Sequence, residues 1–186
     1  MPVEIAKPYL DPHAEELLAA IPAPRKALFL DRDGVINVDH GYVHKPEDTE
    51  WVPGIFKLCA EAQRAGYLLV VVTNQAGIAR GYYSVEEFMA YTRWVHEQFA
   101  LKGTPFVATY YCPHHPEFAP GCECRKPSPG MISAALADFE IEAMNCAIIG
   151  DKKTDLQAGL AAGLMKNRLI YSANKSLFYI SRELDL

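Results

Sequence analysis

The feature that most limits this chain is a short apolar run halted by two carboxylates: Ala27-Leu28-Phe29-Leu30, then Asp31-Arg32-Asp33-Gly34. A strand without polar alternation has to be buried on both faces, as in a parallel sheet covered by helices. The pattern recurs. Tyr67–Val72 runs into Thr73-Asn74-Gln75-Ala76-Gly77, Phe106–Tyr111 into a cysteine-rich loop, and Cys146–Ile149 into Gly150-Asp151-Lys152-Lys153. Leu169–Tyr171 is a fifth strand candidate. Helical signals fill the gaps: Pro53-Gly54 ahead of Ile55, Phe56, Cys59, Ala62 and Ala65, and Ser84 with Glu87 as a capping box. Ser128 and Pro129 are expected as N-cap and first helical residue, and a further helix from about Thr154 to Gly163. Strands alternating with helices predict an α/β fold, a doubly wound parallel sheet with helices on both faces. Such sheets place their sites outside the carboxyl ends of the strands, where every polar motif here falls.

With 186 residues, half of them hydrophobic, the chain can bury a sizeable core as one domain. Its net charge of -5 argues against a broad nucleic-acid or anionic-membrane surface. No apolar run approaches the ~20 residues of a membrane span. The start, MPVEIAKPYLDPH, lacks the basic beginning and apolar core of a signal peptide, so a cytoplasmic protein is expected. Residues 1–26, punctuated by Pro2, Pro8, Pro12, Pro22 and Pro24, are expected as a surface arm with a short helix at His13–Ala20. Residues 27–186 form the domain proper.

Two groups of residues ask for charge compensation. In an extended chain Asp31 and Asp33 point the same way, unless Gly34 begins the turn early, and adjacent carboxylates need a cation, a shared proton or solvent. Cys112, Cys122 and Cys124 crowd one loop with His114 and His115. Three thiols and one imidazole meet the tetrahedral demand of a structural zinc site, with either histidine as the fourth ligand. Cys59 and Cys146 stand alone on core segments as small buried hydrophobes.

The stretches LDRDGVINVDHGYVH, VVTNQAGIARG, YYCPHHP, CECRKPSPGM and GDKKTDLQAG, between roughly Leu28 and Gly163, resemble the haloacid dehalogenase (HAD) superfamily of phosphatases. Within it they are similar to the D-glycero-D-manno-heptose 1,7-bisphosphate 7-phosphatase family. The resemblance thins before residue 27 and after about 165. It implies a Rossmann-like fold and a Mg²⁺-dependent phosphomonoesterase that frees the carbon-7 phosphate through an aspartyl-phosphate. That step serves nucleotide-activated heptose, lipopolysaccharide-core or surface-polysaccharide precursor synthesis. The resemblance makes Asp31 the nucleophile, Asp33 the acid and base, Thr73 a hydroxyl donor to the phosphoryl oxygens and Lys126 their counter-charge. Mg²⁺ falls to the Asp31 carboxylate, the Asp33 carbonyl and Asp151, with Asp155 behind them. Zn²⁺ falls to Cys112, His114, Cys122 and Cys124, fixing the loop that delivers Arg125 and Lys126.

Substrate contacts carried over in the same way are Asp39, His40, Gly41, Tyr42, Thr73, Asn74, Gln75, Ala76, Arg125, Lys126 and Lys152, with Arg80 a candidate for a distal phosphate. A monomer acting on a small sugar phosphate follows, with no nucleic-acid or membrane partner. No large cap is expected, because only roughly forty residues separate Asp33 from Thr73. Histidinol-phosphate phosphatase shares the catalytic motifs and the zinc loop, but DHGYVH and GIARG look like the heptose branch. A zinc-dependent binding module would leave DRDG, TNQ and GDKKTD unexplained.

Overall fold

A computed structural model describes residues 5–186. Six strands, β1 (Tyr9–Leu10), β2 (Lys26–Leu30), β3 (Tyr67–Asn74), β4 (Ala108–Cys112), β5 (Ala147–Gly150) and β6 (Leu169–Tyr171), form one sheet in the order β1-β4-β3-β2-β5-β6. All neighbours are parallel except β1, which pairs antiparallel with β4 through Tyr9 opposite Thr109. The chain moves outward from β2 through β3 to β4, then returns past β2 to place β5 on its other side. The carboxyl ends of β2 and β5 therefore flank the switch point, where a doubly wound sheet opens a crevice.

Side-chain alternation along the buried strands divides the core into two layers. Leu28, Leu30, Leu69, Val71 and Ile149 face α2 (Ile55–Arg64), α4 (Val85–Leu101) and α7 (Leu177–Glu183). Ala27, Phe29, Leu68, Val70, Val72 and Ile148 face α1 (Ala14–Ala20), α5 (Gly130–Asp138) and α6 (Lys153–Ala161). Cys59 and Cys146 are both buried, Cys146 accepting a bond from the Ala27 amide.

The capping box forms as expected: Ser84 Oγ accepts from the Glu87 amide while Glu87 accepts from Ser84 N. Ser128, by contrast, does not cap α5. Its amide closes a turn on Arg125 O, and the helix begins one residue later with Pro129 at the cap. Within the arm, residues 1–4, including Pro2, lie outside the described residues. The rest does more than cover a surface: β1 extends the sheet, and Asp11 is buried against His96 of α4. A four-residue helix, α3 (Ala76–Ala79), takes up the polar turn after β3.

Candidate active site

Lys126 is the hub of the strand ends. It is almost fully buried, and its ammonium donates to Asp31 Oδ1 at 3.0 Å, Asp155 Oδ1 at 2.6 Å and Val72 O at 2.7 Å. Three donors meet three acceptors, so the group is saturated. Its main chain is clamped as well. Asn74, the last residue of β3, donates to Lys126 O and accepts from Lys126 N. Asn74 sits in register with Cys112, the last residue of β4 and the first of the thiol cluster.

Charge is unbalanced around that hub. Asp31, Asp151 and Asp155 bring carboxylate oxygens within 4.8 Å of one another, and one ammonium, Lys126, is bonded to two of them. Burial pushes Asp31 up to about 7 in spite of Lys126, and Asp155 and Asp33 push the same way. Burial raises Asp151 too, against the pull of Lys152. Gly34 has a φ of +88°, and a Cβ there would run into Asp151, so this close approach of the β2 and β5 turns needs glycine.

Asp33 has the opposite environment. Its carboxylate receives Arg32 at 3.0 Å, Asn37 Nδ2 at 3.1 Å and Gln75 Nε2 at 3.1 Å. Burial alone would raise it, but Arg32 and these donors outweigh that and hold it below the ordinary carboxylate range. Arg32 also donates to Val43 O at 2.6 Å, tying this carboxylate to the loop that begins at Asp39.

These residues open onto a cavity of about 610 Å³. Asp31, Asp33, Lys126 and Asp155 line its floor; Asp39, Gly41, Tyr42, Asn74, Gln75, Ala76, Arg125 and Lys152 line the rest, with Tyr83, Pro127 and Thr154. Lys152 and Asp39 approach each other at 3.8 Å. Arg125 is steadied by a bond to His114 O.

Several expected residues are placed elsewhere. Thr73 is fully buried behind the cavity wall, its hydroxyl accepting from Gln75 at 2.8 Å. His40 points outward to Glu50. Arg80 meets His115 at 3.0 Å, away from the cavity lining. Gln75 and Tyr83 were not legible as a unit, since their link depends on where α3 folds back.

Both implied metals can be tested against the donors present. Cys112, His114, Cys122 and Cys124 bring their ligand atoms into mutual contact along all six edges of a tetrahedron, 2.9 to 3.6 Å long. That donor set fits zinc. His114, two residues after Cys112, holds the fourth corner, while His115 turns to Arg80 and Glu117. In the carboxylate cluster, Asp151 Oδ1 is buried without a hydrogen-bond partner among the described residues. Asp155 has both oxygens engaged, by Lys126 and by the Lys152 amide. An oxygen-seeking cation held by Asp31 and Asp151, with Asp155 behind them, fits this arrangement.

A doubly wound sheet whose switch point holds this carboxylate cluster, with no separate cap over it, defines a HAD-type hydrolase. The HAD-hydrolase-like family profile matches residues 123–167. The chain is 50% identical over 145 residues to the D-glycero-beta-D-manno-heptose-1,7-bisphosphate 7-phosphatase of Vibrio cholerae, covering 75% of this chain and 78% of that one. It is 47% identical over 156 residues to the corresponding alpha-anomer enzyme of Burkholderia mallei, covering 81% and 82%. The D,D-heptose 1,7-bisphosphate phosphatase of B. bronchiseptica, solved with magnesium and phosphate, superposes with a TM-score of 0.71 at 31% identity, over 83% of this chain and 86% of that one. The chain belongs to the D-glycero-D-manno-heptose-1,7-bisphosphate 7-phosphatase family.

Proposed function

We propose that the chain removes the carbon-7 phosphate of D-glycero-D-manno-heptose 1,7-bisphosphate. The observation that carries this is the cavity itself: an acidic floor built around one buried lysine, and a rim bearing Arg125 and Lys152. A primary phosphate arm reaches the floor, and the anomeric phosphate stays at the rim. Arginine's planar fork suits bidentate recognition there.

Asp31 is the nucleophile. Its carboxylate attacks phosphorus in line, and the alcohol leaves carrying a proton from Asp33. Water then attacks the aspartyl-phosphate, Asp33 takes the water's proton, and phosphate departs with Asp31 regenerated. As it stands, Asp33 is a base; a phosphate dianion arriving beside it raises its affinity for the proton the first step needs. Lys126 holds Asp31 in place and balances the phosphoryl oxygens. Thr73, buried behind the wall, serves the site through its bond to Gln75.

Asp31, Asp151 and the Asp33 carbonyl would hold magnesium, which would supply positive charge to keep Asp31 ionised and offset that of an incoming phosphate. Zinc at Cys112, His114, Cys122 and Cys124 is structural. A thiol cluster of this kind needs reducing surroundings, which supports a cytoplasmic site of action, and we read the enzyme as a monomer. Residues 27–186 are the catalytic unit and 1–26 its arm. The product, a heptose bearing only an anomeric phosphate, suits nucleotide activation for surface-polysaccharide precursors.

The test is ³¹P NMR of the reaction with heptose 1,7-bisphosphate and Mg²⁺. The anomeric phosphate resonance should persist while inorganic phosphate grows. Asp31→Asn should abolish turnover with the fold intact, an amide being a poor nucleophile. Release from carbon 1, or a variant keeping a tenth of the kcat, would overturn the assignment.

A further inference from the structure

We propose that Tyr83, acting through Gln75, is a positioning residue for Asp33. This deepens the reading above and rests on Asp33 serving as the acid that protonates the leaving alcohol. Tyr83 lies between α3 and α4, buried in a small cluster with Phe88 and Tyr111. Its hydroxyl donates to Gln75 Oε1 at 2.5 Å. The other end of that amide donates twice, to Asp33 Oδ2 at 3.1 Å and to Thr73 Oγ1 at 2.8 Å.

Chemistry fixes the direction of this relay. Turned over, the amide would aim its oxygen at the Asp33 carboxylate, and two acceptors would face each other unpaired. With the phenol donating to Oε1, the NH₂ group must face the carboxylate. Thr73, accepting from Gln75, keeps its own proton to give away. Gln75 has no donor left for a ligand, since its main-chain N–H is bonded to Cys112 O at 2.8 Å. Its expected role as a substrate contact becomes one of holding two other residues.

The framework around Tyr83 supports a fixed position. Its ring stacks on His44 at 4.6 Å, and a Cβ on Gly77 would collide with it. Glycine at 77 lets the phenol lie flush against α3. Burial raises the phenol to about 12, so it stays a donor throughout the neutral range.

The test uses leaving-group chemistry. Departure of a primary alkoxide needs a proton, whereas p-nitrophenolate leaves without one. Parameters of kcat/KM report only the steps up to loss of the alcohol. Tyr83→Phe keeps the ring and removes the donor. It should lower kcat/KM for heptose 1,7-bisphosphate about tenfold or more, and for p-nitrophenyl phosphate by less than about threefold. Gln75→Met should give the same signature. The double variant should be no worse than Gln75→Met alone, because Tyr83 acts only through that amide.

Equal losses on both substrates, additive losses in the double variant, or no loss would each overturn the relay. A Tyr83→Phe protein whose melting temperature drops while the two substrates stay in their wild-type ratio would also overturn it. Wild-type protein that hydrolyses neither substrate would instead sink the phosphatase reading, and the relay with it.

Discussion

At the scale of single residues, Lys126 decides how much negative charge the strand ends can tolerate. Two carboxylates, Asp31 and Asp155, and the Val72 carbonyl take all three of its protons. Lys126→Met should cost about 3–5 kcal/mol at pH 8 without added Mg²⁺, because it leaves buried carboxylates unpaired. The sign with pH follows from Asp31 and Asp151, whose folded pKa values are raised. Such groups bind more protons folded than unfolded, so lowering the pH should recover part of the loss. Urea denaturation at pH 8 and pH 6 measures this, and an equal loss at both would contradict it. Much of the site was legible at this scale, since Asp31, Asp151, Lys126 and the thiols are set by chain position at strand ends. What escaped depends on side-chain direction: Asn74 and Gln75 line the cavity, and no local pattern announces that their amides also hold Lys126 and Asp33 with Thr73.

Elements show where sequence patterns fail. The four long buried strands announced themselves through unbroken apolar runs. β1, with two residues, is too short for periodicity, and its partner Thr109 lies far along the chain. α3 is a single turn, and α7 lies beyond the reach of the family motifs. The docking of β1 is titratable. His96 donates from Nδ1 to Asp11 Oδ2 (2.7 Å) and pairs through Nε2 with the Thr109 hydroxyl (2.8 Å), with His13 also on Asp11. Burial holds His96 below the usual 6.5; burial would raise Asp11, but the hydrogen bonds of His96 and His13 hold it below 3.8. Both groups bind fewer protons folded than unfolded, so stability is complete above 6.5 and falls as pH drops below it, with Asp11 adding to the loss below 3.8. Melting temperatures at pH 7.5 and 5.5 should drop more for wild type than for His96→Gln, which cannot titrate. The thiol loop is equally constrained. A Cβ on Gly130 would strike Glu123 O and crowd Cys124 Cα, so Gly130→Ala should destabilise by about 1–3 kcal/mol. Zinc release to a colorimetric chelator should quicken, and unchanged release would mean that the loop yields without opening.

For the whole molecule, one sheet carries two clusters able to hold a metal ion, built from different donors. The thiol tetrahedron is enclosed in a single loop, whereas the carboxylate cluster draws on two strands either side of the switch point. Elemental analysis should find about one zinc per chain, surviving dialysis that abolishes activity, with Mg²⁺ alone restoring turnover. Mg²⁺ should also raise the melting temperature in a concentration-dependent way, because only the folded chain gathers those carboxylates. Restoration by Zn²⁺ and not Mg²⁺ would reverse this division. The doubly wound class was legible because strands and helices alternate, but the antiparallel edge was not, because nothing local encodes it. That edge bears on how the protein is made. Tyr9 is synthesised about a hundred residues ahead of its partner Thr109. β1 cannot be seated until β4 has been made, and until it docks β4 offers bare amides and carbonyls to whatever lies nearby. On a crowded polysome, the nearest candidates are sister chains with the same unfinished edge.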